Sequence, residues 1–122
     1  LSLWIHYDPE RGDPMYLLVY KFGGSSVADA AGLRCAAGQL AAAAAAGFHI
    51  IAVVSAQGKT TDRLLQSTAE LTAHPACREA DQLLATGEQA SAALMAMTLQ
   101  EMGLPAVSLT GWQAGMNTEF MR

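Results

Sequence analysis

Hydrophobic and polar positions change period several times along the chain, and each change marks an element. Tyr16 to Phe22 is a short apolar and aromatic run closed by Gly23-Gly24, a pattern that predicts a buried parallel strand. From Val27 to Ala46 the positions Leu33, Ala36, Ala37, Leu40, Ala41 and Ala44 recur at three and four residues, with Gly47 as a stop. That spacing predicts a helix. The alanine tract Ala41 to Ala46 supports it, because alanine is the best helix former and its small side chain allows close packing on a sheet. His49 to Val54 is again strand-length and rich in β-branched residues, closed by Ser55-Ala56-Gln57-Gly58. Strand, helix and strand in succession imply a right-handed parallel crossover.

Thr61 to Ala73 places Leu64, Leu65, Thr68, Ala69 and Leu71 on a helical period, with Pro75 shortly after. Glu79 to Leu84 reads as helical. Thr86-Gly87-Glu88-Gln89 then has the capping-box pattern, predicting a fresh helix that runs to about Met102 and ends at Gly103 and Pro105. Ala106 to Leu109 reads as a short strand leading into Thr110-Gly111-Trp112. The alternation predicts an α/β fold, a three-layer α/β/α sandwich with a mainly parallel sheet. Ligands in such folds sit at the carboxyl ends of strands, where Lys21 and Lys59 both fall. Residues 1–14, punctuated by Pro9, Gly12 and Pro14, differ in character from the rest of the chain and read as an extension or upstream segment before Met15. Residues 15–122 read as one lobe that stops without a closing element, and so as truncated.

Composition narrows the possibilities. Apolar residues make up 52% of the chain and charged residues 15%, too apolar for a disordered segment. A net charge of −4 draws neither nucleic acid nor an anionic membrane. No run approaches the ~20 apolar residues of a membrane span, and no signal-peptide pattern opens the chain, so a cytoplasmic protein is expected. Cys35, Cys77, His6, His49 and His74 match no metal-ligand spacing. Reduced thiols and no bound zinc are expected.

Two turns carry candidate chemistry. Tyr20-Lys21-Phe22-Gly23-Gly24-Ser25-Ser26 sets a cation, two glycines and two hydroxyls between a strand and a helix, where glycine amides and a helix amino terminus can face a phosphate. Seen alone, an ordinary tight strand-to-helix turn explains it equally well. Ser55-Ala56-Gln57-Gly58-Lys59-Thr60-Thr61 contains Gly-Lys-Thr, yet the position where a P-loop needs its first glycine is Val53. The dinucleotide pattern G-x-G-x-x-G is also missing, which argues against a nicotinamide enzyme. Glu88 falls in the first turn of its expected helix, where the dipole stabilises a carboxylate by about 0.3–1 kcal/mol without any functional role.

Taken in order, KFGGSSVAD, VVSAQGKTTD, LLATGEQAS and SLTGWQAG resemble the successive signatures of aspartate kinases in the amino-acid kinase superfamily. The resemblance spans residue 15 to about 117 and leaves 1–14 uncovered. It implies that Lys21 contacts the transferred phosphoryl group and that Gly23, Gly24 and Ser25 cradle the phosphates. Ser55 and Thr61 match positions at the aspartate and its reacting carboxylate, and Glu88 matches the acid that receives the substrate α-ammonium. The implied reaction moves the γ-phosphoryl of ATP, with Mg²⁺, to the β-carboxylate of L-aspartate, giving 4-phospho-L-aspartate for lysine, threonine and methionine synthesis. No protein metal ligand is implied within this chain. Departures exist: Ser25 stands where the family commonly has threonine, and Thr118-Glu119 where a Thr-Asp pair is usual.

The family's substrate-carboxylate arginine, most of its nucleotide lobe and its regulatory domains lie downstream of the matched region, so the fragment itself is expected to be inactive. A homo-oligomer is expected as well, because exposed sheet edges and apolar faces seek partners. Two alternatives stand beside this reading. One is another kinase of the superfamily, acting on acetylglutamate, glutamate, carbamate or a nucleotide, against which GKTTD and ATGEQAS speak. The other is a non-catalytic remnant or interaction domain that keeps the lobe's fold.

Overall fold

Strand β2, Pro14–Phe22, is the middle of a three-stranded sheet in a computed structural model that describes residues 2–7 and 14–116. Strand β3, His49–Val54, pairs with it in parallel, from Leu17↔His49 to Phe22↔Val54. Helix α1, Ala30–Ala45, makes the crossover between them. Helices α2, Thr60–Leu71, and α3, Cys77–Glu101, complete the described elements. The α/β class follows, with the two parallel strands ending side by side.

Residue alternation decides which face is covered. Leu18 and Phe22 of β2 are buried, Ile50, Ala52 and Val54 of β3 are half-buried, and these positions meet α1 through Leu33, Ala36, Ala37 and Leu40 and α3 through Met95. The intervening positions Lys21, Ile51 and Val53 are exposed. Helices therefore cover one face of the sheet, and among the described residues the other face is open. Small residues allow this close approach: Ala36 and Ala37 carry α1 onto the strands with almost no accessible surface.

Local chemistry sets the helix ends. The Asp29 side chain accepts a 2.8 Å hydrogen bond from the Gly32 amide and caps α1. At its other end Gly47 takes φ +91° and lets the Phe48 amide return to the Ala43 oxygen at 3.2 Å.

Two sequence expectations about elements need correction. The capping box at Thr86 starts no helix: α3 runs unbroken through it, and the Thr86 hydroxyl donates instead to the Leu83 oxygen at 2.6 Å. A hydroxyl inside a helix satisfies itself on the preceding turn, so the pattern alone does not fix a terminus. Ala106 to Leu109 forms no strand among the described residues; the Gln100 side chain ties it to α3 by donating to the Ala106 oxygen at 2.8 Å. Ser2–Tyr7, part of the stretch read as an extension or upstream segment, forms strand β1, antiparallel to β2 from Ser2↔Val19 to Tyr7↔Pro14. Pro14 suits its place there, since the first residue of a strand tolerates a missing N–H.

Candidate active site

Because β2 and β3 are parallel, the loops that leave them emerge on the same edge of the sheet. The Ser55 amide donates to the Phe22 oxygen at 3.1 Å, extending the pairing one step past the strands. Beyond it the Gly58 amide donates to the Gly24 oxygen at 2.9 Å, and Gln57 Nε2 donates to the Val27 oxygen at 2.7 Å. The loop after β2 and the loop after β3 are thus one stitched unit. Gly24 is explained by this closeness, since a Cβ there would stand 2.4 Å from the Ala56 oxygen. At Gly58 the backbone adopts φ +50°, turning the chain into α2.

Lys21, the penultimate residue of β2, is exposed on the open face of the sheet. It borders a cleft of about 860 Å³ that Ser26, Gly32 and Cys35 also line. Gly23 and Ser25 are exposed, and the space where Gly23 would carry a Cβ is empty to 4 Å. Phosphate oxygens have room to reach the main chain at this turn, beside an ammonium group. The helix terminus is another matter. The apolar period predicts α1 from Val27, with its first amides free for a phosphate, but the helix starts at Ala30 and Asp29 takes the Gly32 amide itself. A capped terminus with its own carboxylate is a poor anion site, so the turn amides and Lys21 are what remain.

Ser55 and Thr61 are half-buried, at the end of β3 and in the first turn of α2. Glu88 is exposed in the middle of α3, not in a first turn. Its neighbour Gly87 is buried where α3 presses on the stitched loops: a Cβ at Gly87 would meet the Ala56 Cβ at 2.9 Å and the Thr60 methyl at 3.4 Å. The fold therefore gathers Gly24, Ser55, Thr61 and the Glu88 turn around one sheet edge. Lys21 approaches that edge from the open face and forms no hydrogen bond or ion pair with Ser55, Thr61 or Glu88 among the described residues. No cluster of three His, Cys, Asp or Glu side chains that could hold a metal occurs among the described residues.

Comparison with known proteins gives this edge a setting. The family model described as "Amino acid kinase family" matches residues 17–121. The chain belongs to the amino acid kinase family. An aspartokinase of Geobacillus stearothermophilus is 49% identical over 107 residues, covering 88% of this chain and 26% of the relative. Aspartokinase 2 of Bacillus subtilis is 48% identical over 86% of this chain, and an aspartokinase of Mycobacterium tuberculosis 46% over 85%. The crystal structure of aspartate kinase from Synechocystis superposes with a TM-score of 0.72 at 40% identity, over 75% of this chain and 16% of that one. The chain spans about a quarter of the length of the curated relatives it matches, 26% for the first two. The family match covers both stitched loops and α3.

Sequence reasoning singled out the ends of the motifs and passed over Gln57 and Gly87. The signal for Gly87 was present, a glycine inside an otherwise helical period, which marks close packing when the helix continues through it. Nothing in the sequence distinguishes Gln57 from a surface turn residue.

Proposed function

We propose that this chain is the amino-terminal part of an aspartate kinase. The observation that carries the reading is the stitched pair of loops at the parallel strand ends, which sets the Lys21–Val27 turn against the Ser55–Thr61 turn with hydrogen bonds of 2.9 and 2.7 Å. Aspartokinase relatives at 46–49% identity across the same residues support the choice of substrate.

In this reading a carboxylate is already a competent nucleophile, and catalysis is chiefly positioning and charge neutralisation. Gly23, Gly24 and Ser25 receive the phosphates of ATP. Ser55 and Thr61 hold L-aspartate by its side chain, and Glu88 pairs with its α-ammonium group. The β-carboxylate oxygen attacks the γ-phosphorus, the bond to the β,γ-bridging oxygen breaks, and ADP and 4-phospho-L-aspartate leave. Lys21 neutralises negative charge on the phosphoryl oxygens in flight. Magnesium, when bound with ATP, screens the phosphate charge. The 122 residues alone are read as lacking turnover, the parent enzyme as a cytoplasmic homo-oligomer of lysine, threonine and methionine synthesis.

The test is a chimera of the Geobacillus stearothermophilus aspartokinase in which residues 17–116 of this chain replace the matching segment. Aspartate-dependent ADP release is expected, together with a hydroxylamine-trappable acyl phosphate. Lys21→Met in that chimera should lower kcat by about 10²–10³-fold, as loss of one transition-state donor does, while KM for aspartate changes little. Equal losses in kcat and aspartate affinity would count against the role of Lys21. Activity on glutamate or acetylglutamate in place of aspartate would overturn the reading.

A further inference from the structure

Gln57 is half-buried in the loop after β3, and its Nε2 reaches the main-chain oxygen of Val27, thirty residues earlier, at 2.7 Å. Every other side-chain hydrogen bond among the described residues spans six residues or fewer. The acceptor is well chosen. The Val27 side chain is fully buried in the core, so its carbonyl is a fixed point at the far end of the turn that starts at Gly23. The remaining ties between the loops, Ser55 to Phe22 and Gly58 to Gly24, are backbone bonds and reach no further than Gly24. Among the described residues, Gln57 makes the hydrogen bond that ties the loop after β3 to the distal half of the turn.

From this geometry we infer that Gln57 is a positioning residue for phosphoryl transfer: it locks the Gly23–Val27 turn onto the Ser55–Thr61 loop and so sets the spacing between the bound phosphate and the acceptor carboxylate. The inference rests on the kinase reading. Each ligand is held by its own loop, so releasing the lock leaves the two binding steps nearly intact. What changes is the distance the phosphoryl group must cross, and a misplacement of ~1 Å at that point reduces rate rather than affinity. Gln57→Met keeps the length of the side chain and removes the donor. Gln57→Glu presents a carboxylate to a carbonyl oxygen when ionised, and regains an O–H donor when protonated.

Three measurements decide it. In the chimera, Gln57→Met should lower kcat by about 10- to 100-fold with KM for aspartate and for ATP each within about threefold. For Gln57→Glu, the deficit relative to the unsubstituted chimera should shrink as the pH falls through the carboxyl range, a recovery that a purely structural role does not produce. In the 122-residue chain, Gln57→Met should speed hydrogen exchange of the Gly58 amide, which the lock protects. Loss confined to KM, a kcat within about twofold of the parent, a Gln57→Glu deficit that ignores pH, or an unchanged Gly58 exchange rate each overturns the lock. An unsubstituted chimera that makes no aspartyl phosphate refutes the kinase reading instead, and Gly58 exchange then still decides whether Gln57 fastens the loops.

Discussion

Gly23 and Gly24 are neighbours with the same side chain, and a methyl group would meet different surroundings at each. At Gly24 it would lie 2.4 Å from the Ala56 backbone oxygen, in a loop that the Ser55–Phe22 and Gly58–Gly24 backbone bonds hold against it; at Gly23 it would meet nothing within 4 Å. Gly24→Ala should therefore cost about 1–3 kcal/mol through forced separation of the loops, seen as a lowered Tm in circular dichroism. Gly23→Ala should stay within about 0.5 kcal/mol of the parent, while weakening ATP binding in the chimera by crowding the turn. Should both alanines lower Tm alike, the packing account of Gly24 fails. In the sequence the pair was legible as a turn between strand and helix. Which glycine serves the fold and which faces the open space was not, because the deciding atom belongs to Ala56, more than thirty residues away.

At the scale of elements, the apolar period located β2, α1, β3 and α2 well, because each has one face that must be buried. Helix ends were harder. The Asp29 cap shortens α1 at its start, and Asp29→Ala should cost about 1 kcal/mol by leaving the Gly32 amide without its acceptor. Thermal unfolding of the two chains side by side checks this, and an unchanged midpoint would show that the cap contributes nothing. Helix α3 illustrates the opposite error. Thr86-Gly87 resembles an interruption, and glycine inside a helix costs about 1 kcal/mol relative to alanine. The contact of Gly87 with Ala56 and Thr60 offsets that cost by letting α3 settle on the loops, and the helix continues.

For the molecule as a whole, the sheet face left open among the described residues bears on association in solution. Ile51 and Val53 are 50% and 42% exposed, side by side on a strand edge, an arrangement that favours association through apolar surface and unpaired strand groups. The 122-residue chain should self-associate in light scattering, and the double substitution Ile51→Lys with Val53→Thr should shift it toward monomer. A monodisperse parent chain would contradict this. The sequence by itself determined the α/β alternation, the positions of the two motif loops and the family, because local periodicity and short motifs are written in neighbouring residues. Only the tertiary structure decided that α3 passes unbroken behind Glu88, that Asp29 caps α1 through the Gly32 amide, and that Gln57 joins two loops thirty residues apart. Those outcomes depend on which distant backbone atoms come within hydrogen-bonding or van der Waals reach, and no local pattern encodes that distance.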